Sequence, residues 1–227
     1  MIKNTILLGL TTTPGSDWKE KIKETKKLDL KEIALFPTCL KLDERKEMYD
    51  LLKGTPIRSI PHVHIREEDF EPWELQYLID NYETIFFNIH DEADMTILDR
   101  FSDFKQYLYL ENGGKLLSNF TDTLDKIEGL CVDFAHLNNA KKTNHSHFYK
   151  MADLIKKYPI GCCHISAEVG ETNNGGHFFH NLSEFDYLKN YLNLIPNIIS
   201  IELENSLAEQ LKVRKYLQDM ISKEQFI

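Results

Sequence analysis

The chain of 227 residues has few cysteines, little positive charge and no long apolar run. Its 4 cysteines are scattered, without the spacing of a disulfide scaffold or a paired zinc site, so we expect reduced core residues in a cytoplasmic protein. No stretch approaches the roughly 18 apolar residues of a membrane span. The 27 lysines and arginines face 36 acidic residues, a formal charge of -9. That balance argues against a protein that mainly coats nucleic acid or an anionic membrane.

A glycine-rich phosphate loop is also missing after the first apolar run, which disfavours an open dinucleotide-binding sheet. The sequence contains instead eight short apolar, β-branched or aromatic runs, separated by charged segments with helical periodicity. Strands alternating with helices are typical of parallel sheets buried on both faces. We therefore predict a single (β/α)8 TIM barrel over residues 1–227. The predicted strands are 6–10, 32–36, 59–65, 84–90, 106–111, 129–134, 160–165 and 199–204.

The clearest predicted helix lies near the C-terminus. Ser206 and Glu209 have the S-x-x-E spacing of a capping box, and apolar residues follow at helical spacing, which predicts a helix over 206–222. The remaining helices are predicted at 16–30, 43–53, 70–81, 92–104, 114–127, 147–158 and 183–194.

Residues that can bind a metal or move a proton occur at the end of every predicted strand from the third onwards. In a TIM barrel the active site is built from these strand ends and the loops that follow them. Several carboxylates converging on one cavity would repel each other unless a cation neutralised them, so we expect a bound divalent metal. The candidates are His62, His64, His90, Glu111, Asp133, His136, His164, His177, His180, Glu202 and Glu204.

Some of the candidate side chains have an ordinary structural interpretation. His145 and His147 fit hydrogen-bonded structure and are not assigned to the site. Glu202 and Glu204 fall on one face of the last strand, and we expect Glu202 one layer deeper, paired with a basic or hydroxyl group. Carboxylate and imidazole donors without thiolate suit several cations, so manganese, zinc, cobalt and magnesium all stay open.

Four strand-end motifs, LEN at Glu111, VDFAH at Asp133 to His136, CCHIS at His164 and IELEN at Glu204, resemble the xylose isomerase-like TIM-barrel superfamily. That superfamily includes sugar isomerases and epimerases and DNA-repair enzymes of the endonuclease IV type. The resemblance covers nearly the full chain. In epimerase-like members it implies one metal held by Glu111, Asp133, His164 and Glu204, with His136 touching the substrate.

The function we expect is a metal-dependent isomerase or epimerase of a small sugar or sugar phosphate. Glu111 and Glu204 would be its catalytic carboxylates, one removing a proton beside a metal-bound hydroxy-carbonyl unit and the other returning it. Neither a membrane nor, under this interpretation, a nucleic acid is expected as a partner.

Two alternatives stay open. The resemblance also implies an endonuclease IV-like zinc phosphodiesterase acting on abasic DNA, in which additional histidines complete a three-metal cluster. His62 or His64, His90, His177 and His180 could supply them, but the loop reads GHFFHNLSEFD where that branch has D-x-H, which favours the isomerase. The second alternative is a barrel that binds a metal or small ligand without turnover.

Overall fold

Nine short parallel strands form one sheet around the barrel axis. The structure is a computed structural model that describes residues 4–90, 95–113, 120–168 and 176–224. Every neighbouring pair of strands is parallel. The strands are β1 (Thr5–Leu7), β2 (Gly9–Thr11), β3 (Ala34–Phe36), β4 (His62–His64), β5 (Phe86–Ile89), β6 (Leu108–Glu111), β7 (Gly129–Asp133), β8 (Ile160–Ile165) and β9 (Ile198–Ile201).

The sheet closes through its first strand, which is split in two. β1 pairs with β9 and β2 pairs with β3, and only Leu8 separates the two halves. At Gly9 the neighbouring backbone passes so close that a Cβ would lie 1.9 Å from the carbonyl oxygen of Ile201. The Gly9 N–H donates instead to Gln210 Oε1 at 2.7 Å. β1 and β2 therefore act as one barrel strand, and the predicted eight-stranded TIM barrel is confirmed.

Helices surround the barrel. They are α1 (Trp18–Lys27), α2 (Leu42–Lys53), α3 (Pro72–Tyr82), α4 (Met95–Arg100), α5 (Phe120–Leu124), α6 (Phe134–Lys142), α7 (Ser146–Lys157) and α8 (Leu207–Glu224). The capping box predicted for α8 is confirmed, because the Glu209 N–H donates to Ser206 Oγ and the Ser206 backbone N–H donates to Glu209 Oε2. Within the described residues, no helix is long and apolar enough to cross a membrane.

Three predicted helices differ from the structure or extend beyond its described part. The segment predicted as a helix over 183–194 forms two 3₁₀ helices, Leu182–Asn190 and Leu192–Leu194. The first residues of the helices predicted over 92–104 and 114–127 lie outside the described residues.

Inside the barrel, side chains from alternate strand positions form three layers. The lowest layer is apolar, the middle layer is polar and hydrogen-bonded, and the upper layer at the carboxyl ends contains acids and imidazoles. From bottom to top the layers contain Phe86, Tyr109, Cys162 and Ile198; then His62, Asn88 and Ser200; then His64, Glu111, His164 and Glu202. The strand register therefore places the chemically active groups at the open end of the barrel.

A buried lysine ties α1 to this end of the barrel. Lys21 Nζ donates to Thr11 Oγ1 at 2.8 Å and to the carbonyl oxygen of Leu203 at 2.7 Å. Burial lowers the pKa of Lys21 to about 7, although the nearby carboxylates of Glu204 and Glu24 oppose that change.

This lysine predicts a pH-dependent contribution to stability. Between pH 7 and 10.5 the unfolded chain holds a proton on Lys21 that the folded chain has released, so stability rises with pH in that window. We expect the free energy of unfolding of the wild type, relative to Lys21→Met, to increase by at most about 1.4 kcal/mol per pH unit there. Urea denaturation across the window measures it. A difference that stays flat would mean that folded Lys21 remains charged.

A candidate metal centre at the carboxyl end of the barrel

Four buried side chains meet at the open end of the barrel, and we call them the central cluster: His64, Glu111, His164 and Glu202. His164 Nδ1 lies 3.4 Å from Glu111 Oε2 and 3.3 Å from Glu202 Oε2. His64 Nε2 lies 3.6 Å from the same Glu111 oxygen. Residues from strands far apart in the sequence thus converge on one point because the sheet is closed.

The central cluster fits a divalent cation. Ligand atoms about 2.1 Å from a tetrahedral metal lie about 3.4 Å from one another, close to the observed separations of 3.3 to 3.6 Å. Among the described residues, no ring nitrogen of His64 or His164 makes a hydrogen bond, although both rings are buried. A cation would give these nitrogens the partner that buried polar atoms require. Two imidazoles favour zinc, manganese or cobalt over magnesium, which prefers oxygen ligands.

The charges in the central cluster also favour a cation. Burial on its own would raise the pKa of Glu111, but the imidazoles of His164 and His64 hold it well below its usual range. Burial likewise opposes ionisation of Glu202, yet His164 lowers its pKa to about 2. Burial lowers the pKa of His64 to about 4, which leaves that ring neutral. Burial also opposes a charge on His164, but Cys131, Glu111 and Glu202 raise its pKa well above the usual range. One imidazolium thus faces two carboxylates, and a divalent cation would balance them more fully.

A hydrogen-bonded chain in the middle layer orients Glu111. Asn88 Nδ2 donates to Glu111 Oε2 at 2.6 Å, so Asn88 Oδ1 points away and accepts from His62 Nε2 at 3.0 Å. With Nε2 protonated, His62 Nδ1 accepts from the Ser200 hydroxyl at 2.7 Å. Both nitrogens of His62 are thus engaged one layer below the central cluster. His62 supports Glu111 from below, and its contact with a substrate or a further metal stays a prediction.

His90 lies beside the central cluster on the open side. Its ring centroid is 4.4 Å from that of His64, and donor atoms of His64, His90 and Glu111 lie within 4.8 Å of one another. Burial opposes a charge on His90, but a hydrogen bond with Glu67 raises its pKa to about 9. Its side chain is 42% exposed, so His90 can meet both a bound cation and a substrate.

Asp133 and His136 border the central cluster on another side. Asp133 is the strand partner of His164, and its Oδ1 caps α6 by accepting from the His136 N–H at 2.8 Å. Its other oxygen is buried without a hydrogen-bond partner among the described residues and lies 3.8 Å from His136 Nε2. Burial raises the pKa of Asp133, and Asp133 in turn raises the pKa of His136. One carboxylate oxygen of Asp133 therefore remains available toward the cluster.

A polar pocket opens beside His136, between the ends of α6 and α7. Among the described residues that line it, none is an acid or an aliphatic residue larger than alanine, and three are histidines. The sequence predicts a structural role for His145 and His147. Both lie at the beginning of α7, where the His147 N–H donates to His145 Nδ1. The pocket residues are Gly113, His136, Asn139, Ala140, Thr143, His145 and His147.

Of the two last-strand acids, Glu202 and not Glu204 reaches the central cluster. A Cβ on Gly15 would lie 2.1 Å from Glu204 Oε2, so the Glu204 carboxylate packs against that glycine. Its backbone N–H donates to the carbonyl oxygen of His177 at 2.6 Å. No group of clustered metal donors among the described residues includes Glu204. The sequence-based assignment is corrected accordingly: Glu202 is not one layer deeper but level with His164.

The two loop histidines separate in the structure. His177 contributes to the low pKa of Glu202, and its Nδ1 is buried without a hydrogen-bond partner among the described residues. His180 is exposed, with its ring against Phe178, and its backbone N–H faces the Glu184 carboxylate. His177 therefore faces the site, whereas His180 lies on the outer surface.

Three supporting residues were not identified from the sequence: Phe36, Glu67 and Asn88. The Phe36 ring centroid is 5.1 Å from that of His164 and forms an apolar wall of the cluster. Asn88 had a readable signal, because it is a polar residue two positions before His90 inside an apolar run. Glu67 lies in a loop, where no periodicity indicates its direction.

No protein-family model matches the chain, and no curated protein matches it. Among solved structures it is similar to SacUVDE, with 16% identity over 89% of this chain and 84% of that chain and a TM-score of 0.48. It is also similar to an HpcH/HpaI aldolase from Desulfitobacterium hafniense DCB-2, with 10% identity over 96% of this chain and 93% of that chain and a TM-score of 0.47. A dihydropteroate synthase from Coxiella burnetii matches with 12% identity over 96% of this chain and 95% of that chain and a TM-score of 0.39.

The two last-strand acids give a matched test of the metal centre. We expect Glu202→Gln to weaken cobalt or zinc binding by at least about 10-fold, because a ligand oxygen facing His164 is lost. Glu204→Gln removes the same charge outside the cluster and should leave metal binding unchanged. Cobalt titration followed by visible absorption, with elemental analysis, measures both. The opposite ranking would restore Glu204 as the ligand.

Proposed function

We propose that the chain is a divalent-metal-dependent phosphoesterase. The observation that carries this proposal is that the donor sets overlap: Glu111 belongs to one set with His64 and His90 and to another with Cys131 and His164, and His64 also belongs to a set with His164 and Glu202. A carboxylate can bridge two cations, so the centre offers donors for more than one. Clustered cations supply activation of water and stabilise both the attacking and the leaving oxygen of a phosphoryl displacement.

The histidine-lined pocket supports a phosphate-bearing substrate. His136 lies both in that pocket and beside Asp133, so it links the pocket to the centre. The described residues that line the pocket supply imidazole, amide and hydroxyl groups and no carboxylate, which suits an anion in a chain whose overall charge is -9. His136, 39% exposed and held by Asp133, can donate a hydrogen bond to a phosphoryl oxygen. Phe36 excludes water from the opposite side.

A sugar isomerase or epimerase is the second candidate. Its mechanism needs a carboxylate that takes up and returns a proton near neutral pH. Each candidate carboxylate already has another contact. Glu111 accepts a hydrogen bond from Asn88, Glu202 faces His164, and Glu204 packs against Gly15. These contacts weigh against a carboxylate that takes up and returns a proton. The burial of the central cluster favours this candidate, because a deep site suits a small substrate better than a DNA duplex.

The substrates can be separated in one set of assays. We expect the protein with added zinc or manganese to cleave bis-p-nitrophenyl phosphate or an abasic-site DNA duplex, and to leave a panel of ketose sugars unchanged. His90→Ala should lower cleavage by about 10- to 100-fold, because one donor of the shared set is lost. His180→Ala removes an exposed imidazole outside the site and serves as the control.

Two outcomes would contradict the phosphoesterase proposal. Isomerisation of a ketose without phosphoester cleavage would establish the second candidate. Metal binding without turnover of any substrate in the panel would indicate a non-catalytic binding barrel.

A further inference from the structure

Glu67, in the loop after β4, holds His90 by two hydrogen bonds to one oxygen. The backbone N–H of His90 donates to Glu67 Oε1 at 2.5 Å, and His90 Nδ1 lies 3.0 Å from the same oxygen. The Glu67 side chain is 16% exposed, so water competes little for this oxygen. The contact joins the loop after β4 to the end of β5 directly beside the central cluster.

The chemistry of this contact determines which ring nitrogen of His90 carries a proton. An ionised carboxylate only accepts hydrogen bonds, so Nδ1 must be the donor. Nε2 is then the nitrogen available to a cation, and the nearest donor atoms around it are those of His64 and Glu111. A carboxylate that binds the second nitrogen of a metal-ligating histidine fixes the ring and raises its basicity.

The loop that carries Glu67 is itself held in place by arginines. Arg100 Nη1 donates to the carbonyl oxygen of Glu67 at 2.7 Å. Arg45 Nη2 donates to the carbonyl oxygen of Asp69 at 2.9 Å, and Arg45 is fully buried in a two-point ion pair with Glu74. Because the backbone is held at Glu67 itself and two residues after it, the Glu67 carboxylate has little freedom to turn away from His90.

We infer that Glu67 is a positioning residue that keeps His90 protonated on Nδ1 and directs Nε2 toward His64 and Glu111. This inference rests on the proposed function in one respect, because the proposed function makes His90 a metal donor together with Glu111. Glu67 acts through His90, because its Oε1 is engaged by both His90 donors and no group of clustered metal donors among the described residues includes Glu67. Without Glu67 the ring of His90, 42% exposed, can rotate away from the cluster.

The test compares Glu67→Ala with Glu67→Gln and with Glu68→Ala. Glutamine keeps an oxygen that accepts from both His90 donors, so it should preserve the geometry. Glu68 is the neighbouring carboxylate on the same loop, 69% exposed and facing Arg66, and controls for charge and for loop perturbation. The measurements are zinc or cobalt affinity by titration calorimetry, the His90 ring tautomer by ¹H–¹⁵N correlation of the metal-free protein, and the unfolding temperature. Because the pKa of His90 is raised to about 9, the tautomer is recorded well above that pH, where the ring is neutral.

We expect Glu67→Ala to fold and to weaken the cation site that includes His90 by about 10- to 100-fold. Glu67→Gln should weaken it less, and Glu68→Ala should match the wild type. The His90 ring should keep its proton on Nδ1 in the wild type and lose that preference in Glu67→Ala. A folded Glu67→Ala protein with unchanged affinity and unchanged tautomer would overturn the inference. If the wild type binds no cation, the proposed function fails, and the tautomer measurement alone still decides the role of Glu67.

Discussion

Two carboxylates buried side by side at the mouth of the barrel determine the arrangement around them. Glu111 and Glu202 both approach one nitrogen of His164, and no lysine or arginine among the described residues pairs with either. Unpaired buried charge is costly, so each surrounding group acts to offset that cost. Asn88 donates to Glu111 from below, imidazoles face the carboxylates at their own level, and Phe36 limits access of water. The polar core therefore depends on a counter-charge that the protein chain supplies only in part.

Alternation along a strand identifies which face a residue occupies but not how deep it lies. His62 and His64 share a face, as do Glu202 and Glu204, and their order along the strand shows which of each pair is deeper but not which layer holds the site. The layer follows from contacts between strands: the hydrogen bond from Ser200 to His62 places these two residues level, and Asn88 connects them upward to Glu111. The eight apolar runs were sufficient to predict the strands because burial on both faces leaves a strong local signal.

Other features depend on contacts between distant parts of the chain and left no local signal. The closure of the split first strand uses Gln210, about two hundred residues away from Gly9. The sequence analysis does not predict α6. This helix begins at Asp133, whose side chain accepts from the His136 N–H, and the sequence assigns Asp133 to the metal site instead. Asp133 thus caps a helix and borders the central cluster at the same time, whereas a sequence pattern assigns a residue only one of these roles.

The hydrogen-bonded chain from Ser200 through His62 and Asn88 to Glu111 limits the routes by which a proton can be transferred. Its hydrogen bonds all run in one direction, and its third member is an amide. An amide cannot pass a proton on without changing its bonding, unlike a hydroxyl or an imidazole. The middle layer therefore relays no proton from Ser200 to Glu111. Proton exchange at Glu111 runs instead through the groups at its own level, His64, His164 and the thiol of Cys131, which lie within 4.8 Å of it.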